Sequence, residues 1–131
     1  MSALPDLEDP STGRWLPSVD VVTAAVVRAV AAPLPRTDVL YVYDRLTFRV
    51  RSIVYAKLSR DETSLGFGFP KEERDALVAS RPDTFFLPRA SDLRFHWVQA
   101  HMDRLDVDEM RDLVVDAWRM VVPKFLRETI R

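Results

Sequence analysis

The apolar positions of this chain change period several times, and each change predicts an element. Val19, Val22, Val26, Ala29 and Val30 recur at helical spacing. Ser18 as N-cap, with Asp20 in the first turn, predicts that this helix starts at residue 18. Pro33 and Pro35 end it. Residues 39–43, Val-Leu-Tyr-Val-Tyr, are β-branched and aromatic, as a strand requires. Thr47 to Arg51 alternates, which places Phe48 and Val50 on one face and Arg49 and Arg51 on the other. Ser52 is the turn candidate before a strand at 53–58, and 60–63 is a polar turn. Leu65, Phe67 and Phe69 alternate with Gly66 and Gly68, a strand with one bulky and one bare face.

Pro70 followed by Lys71, Glu72 and Glu73 opens a second helix, whose small apolar contribution is Ala76, Leu77 and Val78. Thr84–Leu87 predicts a short strand closed by Pro88, and Phe95–Met102 a last one. The final helix starts at Asp106, with Glu109 three residues on in a capping-box arrangement. Met110, Leu113, Val114, Ala117, Trp118 and Val121 form its buried stripe, up to Pro123. Helices grouped over an antiparallel sheet make an α+β two-layer sandwich. Residues 1–17, with Pro5, Pro10 and Pro17, read as an irregular arm, and 18–131 as one domain without repeat or linker.

Composition narrows the function by exclusion. A chain of 131 residues can bury a real core without a staple. It has no Cys, which removes disulfides, thiol nucleophiles and thiolate metal sites. A net charge of −1 argues against bulk coating of nucleic acid. Asp6, Glu8 and Asp9 stand where an export signal would be basic and then apolar. The apolar stretch 19–32 is too short to span a bilayer. The expectation is a cytoplasmic protein with no membrane partner.

The near-neutral total conceals two opposite blocks. Between Tyr41 and Arg60, five cations (Arg45, Arg49, Arg51, Lys57 and Arg60) face one acid, Asp44, for a local +4. Between Asp103 and Asp116, six acids face Arg104 and Arg111, for a local −4. Arginines on one face of a two-stranded ribbon suit a DNA major groove and bidentate contact with phosphate or guanine. The competing reading is a solvated outer face, its arginines paired with acids of the same molecule. Asp108, Asp112 and Asp116 line one helix face, where carboxylates suit the helix N-terminus and solvent better than a cation site.

Little else points to chemistry. His96 and His101, five apart in a strand, should face opposite ways and cannot share a metal. No nucleophile elbow is present, and Gly66-Phe67-Gly68 sits in a strand instead of ahead of a helix. Tyr41, Tyr43, Tyr55, Phe67, Phe69 and Trp97 read mainly as core, with base stacking as the alternative. Gly66 and Gly68 leave a bare strip for a helix, another backbone or a ligand. No catalytic residue, cofactor or metal is expected, and no enzyme.

Several weak motifs stand in a familiar order. They are Ala29–Pro35, Phe48-Arg49-Val50-Arg51 with Val54-Tyr55-Ala56, Leu65–Arg74, Phe85-Phe86, Trp97, and Ala117-Trp118-Arg119 before Pro123-Lys124. Over roughly residues 19–126 the chain resembles the MmcQ/YjbR family. The resemblance implies a CyaY-like fold: a sheet of about five antiparallel strands with three helices on one face. It also implies double-stranded DNA binding through a strand-hairpin double wing. Two departures are visible: Ser52-Ile53 stands where the family commonly has Gly-Lys, and Gly68 where it often has Lys. The reading that follows is weak DNA binding by the hairpin, with Arg49 and Arg51 facing the groove. Arg45, Lys57 and Arg60 would meet phosphates. Its alternative is a protein-interaction module or homo-oligomer that uses the basic hairpin and the acidic helix.

Overall fold

A computed structural model describes residues 21–130. The predicted N-cap Ser18, the stripe residue Val19 and the arm 1–17 lie outside the described residues. Helix α1 runs over Ala24–Ala31, and its N-cap is Thr23, whose hydroxyl accepts the Val26 amide at 3.2 Å. The expected start at Ser18 is therefore replaced by a local cap five residues later. Val27 and Ala31 form the buried centre of the helix, while Ala29, expected in the stripe, is exposed.

Six strands follow: β1 (Thr37–Val42), β2 (Arg45–Val50), β3 (Ile53–Leu58), β4 (Ser64–Gly68), β5 (Phe85–Phe86) and β6 (Trp97–His101). They form one sheet in the order β1-β2-β3-β4-β6-β5, and every neighbouring pair is antiparallel. Helix α2 (Lys71–Ser80) packs at the β5–β6 edge. Helix α3 (Val107–Arg119) packs on β3, β4 and α1. Beyond Pro123 a single turn, α4 (Lys124–Arg127), closes the chain. The fold is α+β, and a two-layer sandwich describes it.

The core is where the alternation places it. Leu46, Phe48 and Val50 of β2, Ala56 and Leu58 of β3, and Leu65 and Phe67 of β4 are buried in register. They meet Val27 of α1 and Met110, Val114 and Trp118 of α3. The capping aspartate of α3 behaves as its spacing predicts: Asp106 Oδ1 accepts the Glu109 amide at 2.7 Å. The Trp118 indole N–H donates to the Pro35 carbonyl at 2.9 Å and ties α3 to the α1–β1 connection.

A bulge shapes the middle of the sheet. Phe48 pairs with Ala56 but Arg49 with Val54, so Tyr55 is the extra residue of β3. Its buried phenol exchanges a hydrogen bond with Thr37 Oγ1 at 2.9 Å and donates to the Ala31 carbonyl at 3.4 Å. Past the bulge β3 separates from β4. Their pairing covers Ala56–Leu58, whereas β4 stays paired with β6 through Gly68 and Trp97.

Arg74 is the buried residue of α2, and Ala76, expected in its apolar set, is exposed. The Arg74 guanidinium donates to the carbonyls of Leu93 (2.9 Å), Phe95 (3.0 Å) and Trp97 (3.1 Å). It thereby fastens the irregular segment before β6 onto α2.

Candidate nucleic-acid interface

Because Leu46, Phe48 and Val50 point into the core, Arg45, Thr47 and Arg49 point to the other face of β2. Thr47 is opposite Lys57 of β3, which therefore shares that face. Arg60 follows in the β3–β4 loop. Its Nε donates to the Tyr43 carbonyl at 3.0 Å, joining that loop to the β1–β2 turn. The loop is itself ordered: Asp61 Oδ1 accepts from Ser59 Oγ (2.7 Å), Thr63 Oγ1 (2.8 Å) and the Thr63 amide (3.2 Å). These bonds, that from Ser59 foremost, hold the Asp61 carboxyl below its usual range.

Around this end of the hairpin lies a basin of about 400 Å³. Its cations are Arg45, Lys57, Arg60 and Arg89, with Val42, Tyr43, Thr47 and Val54 completing the lining. Among the described residues, no carboxylate and no helix residue lines it. Among the described residues, no acid lies within ion-pair distance of Arg45, Arg49, Arg51, Lys57 or Arg60. Concentrated positive charge in a concave surface raises the local potential for anions.

Three of the acids that the alternative reading would pair with the hairpin have arginine neighbours elsewhere. Glu109 pairs with Arg81, and this contact raises the pKa of the guanidinium above its ordinary value. Asp116 pairs with Arg119 at 2.7 Å. Asp112 lies 4.0 Å from Arg111.

Two of the five expected cations behave differently from the sequence expectation. Arg51 does not share the strand face with Arg49, because it sits in the β2–β3 turn with φ +59°. The turn thus has its positive-φ residue, at Arg51 and not at Ser52. At six residues from Arg45, it lies about 20 Å from that residue along the ribbon, and it does not line the basin. Arg49 is on the outer face, but Asp38 stands directly across from it on β1 and reduces the net charge there. Its Nε is buried without a hydrogen-bond partner among the described residues. The basic surface is therefore centred on Arg45, Lys57 and Arg60, joined by Arg89 from the loop after β5. Arg89 had no signal in the sequence, since nothing local indicates that this loop crosses the sheet.

The histidines also differ. His96 precedes β6, and its Nδ1 accepts the Lys71 amide at the start of α2 (3.0 Å). His101 stacks on Phe86, with centroids 4.5 Å apart. No group of three metal-ligating side chains occurs among the described residues. Tyr55 and Phe67 are core, whereas Tyr43 is 81% exposed in the β1–β2 turn, with φ +50°. Trp97 lies half-buried on the outer face, and Lys57 Nζ stands 5.9 Å from its ring centroid. Gly66 is not bare, since the Trp97 indole covers it.

Beside the basin lies a second depression of about 480 Å³, more apolar in its lining. It opens where β3 parts from β4. Ala117, Met120 and Val121 come from the end of α3 and the turn beyond it, and Phe95 and Trp97 from the other side.

The family model described as YjbR matches residues 33–120, more than half of the chain. Among solved structures, the chain is similar to the Deinococcus radiodurans protein DR2400, described with a DUF419 domain. The TM-score is 0.69 at 20% identity, over 83% of this chain and 88% of that one. A search of curated proteins finds no match. No helix among the described residues is long and apolar enough to cross a membrane.

Proposed function

The chain belongs to the YjbR family, and from that premise we propose that it is a non-enzymatic protein that binds double-stranded DNA weakly through the outer face of β2 and β3. The observation that carries the reading is the basin lined by Arg45, Lys57, Arg60 and Arg89, with no carboxylate among the described residues of its lining; of the four cations Arg89 is the one paired with an acid, Asp92. Arginine and lysine held on paired strands meet successive phosphates, while an exposed ribbon edge enters the major groove. Few cations make the affinity modest and strongly salt-dependent.

Fluorescence anisotropy of labelled duplex DNA over a salt series tests this. With about four phosphates neutralised, the slope of log K against log salt is expected near −3.6. Lys57→Glu with Arg60→Glu should abolish binding, and Arg51→Ala should change it little. No binding at low salt, or unchanged binding in the double variant, would overturn the proposal.

The alternative is self-association or a protein partner. It draws support from β1, an edge strand with exposed Tyr41 and Val42. Concentration-dependent mass in sedimentation, with DNA without effect, would favour it.

A further inference from the structure

The basin and the apolar cleft are not separate features: Val54, Lys57 and Arg89 line both. One continuous depression therefore passes from an apolar half to a cationic half. We propose that it binds a small amphipathic anion, with an aromatic or acyl body in the cleft and a carboxylate or phosphate at Lys57 and Arg89.

The apolar half has the size of a small-molecule site. Ile53, Val54, Phe95 and Met120 around it are all exposed, an apolar patch that an apolar ligand would remove from water. Trp97 supplies an aromatic wall, and the flexible thioether of Met120 lets the floor adapt to shape. Asp92 is the acid among the described residues of the lining; Arg89 Nε engages it at 3.0 Å, and Lys57 with Arg89 outweighs it by one positive charge. The charge at the junction thus favours an anion, and Lys57 beside Trp97 sets the head group next to the aromatic body.

Gly68 keeps the cleft open. A Cβ there would lie 3.7 Å from Ala117 Cβ and Met120 Sδ, an ordinary contact. Nothing in packing therefore demands glycine at 68, unlike at 66. A larger side chain would occupy the space proposed for the ligand.

This inference does not rest on DNA binding, and its test contains no nucleic acid. In two-dimensional ¹⁵N–¹H NMR of the full chain, 2-naphthoate is titrated while the Gly68 amide and the Trp97 indole N–H are followed. Naphthyl phosphate forms a second arm to distinguish head groups, and the neutral alcohol 2-naphthalenemethanol is the control. Saturable shifts at both probes are expected, with the alcohol about tenfold weaker, as is typical when one charge-assisted bond is lost. Lys57→Ala should weaken the anions by a similar factor and leave the alcohol unchanged. Gly68→Leu should abolish binding, and Gly68→Ala, the smaller change, should weaken it if the leucine variant fails to fold. Absence of saturable shifts with both anions, equal affinity for the alcohol, or binding indifferent to position 68 would each overturn the proposal. So would a dimer that holds the cleft closed and that neither anion disperses.

Discussion

The indole of Trp97 lies where a side chain at Gly66 would stand: a Cβ at position 66 would come within 2.7 Å of its Cζ2 and Nε1. The two residues are on neighbouring strands, and Gly66 pairs with Gln99 while Trp97 pairs with Gly68. The ring thus crosses diagonally over the glycine and shields the outer face of β4. Gly66→Ala is expected to destabilise the fold by about 1–3 kcal/mol through overpacking. Gly68→Ala should stay within about 1 kcal/mol, because the unfolded chain loses freedom and no clash arises. Urea unfolding of the two variants side by side checks the contrast.

Arg74 is 8% exposed and donates to three carbonyls, with no carboxylate partner among the described residues. Arg74→Met should cost on the order of 2–4 kcal/mol, since buried carbonyls lose charged donors. Arg74→Lys should not restore the loss, because one ammonium cannot reproduce a fork of donors. Hydrogen exchange should show the protection loss concentrated in residues 93–97.

Burial pushes the Tyr55 phenol up to about 12, offset in part by its bond with Thr37. The neutral phenol is therefore favoured in the folded protein over the unfolded chain, whose tyrosine ionises near 10. Between those values the folded state holds more protons, so stability is full below about pH 10 and falls as pH rises towards 12. Tyr55→Phe should lower stability by about 1 kcal/mol at neutral pH. It should also flatten the fall above pH 10, as thermal melts across that range would show.

Arg51 holds a left-handed backbone that L-residues adopt at a cost of about 1–2 kcal/mol. Arg51→Gly should raise the melting temperature, while DNA affinity falls far less than for Lys57→Glu. A parallel loss of affinity in both variants would place the contact at the tip of the hairpin.

Local chemistry made some elements legible. Asp106, three residues before Glu109, and the apolar period of Met110, Val114, Ala117 and Trp118 identify α3 without any partner. The strict alternation of Phe48, Arg49 and Val50 identifies the faces of β2 in the same way. The start of α1 was not legible, because Ser18 and Thr23 are both acceptable caps and three of the four residues between them are valine. Arg74 was not legible either. A charged residue on a polar helix reads as solvated until the 93–97 segment folds over it.

Period, caps, turns and a cluster of cations on a two-stranded ribbon can all be read along the chain. These depend on neighbours within a few positions along the chain. Packing in three dimensions is what brings Arg89 to Arg45, Lys57 and Arg60 and keeps Arg51 out of their basin. The same holds for Glu109 and Asp116 of α3, which pair with Arg81 and Arg119 and not with the cations of the hairpin. Coulomb interactions and cavities depend on distances through space, and the bulge at Tyr55 together with the crossing of the 87–96 loop sets those distances.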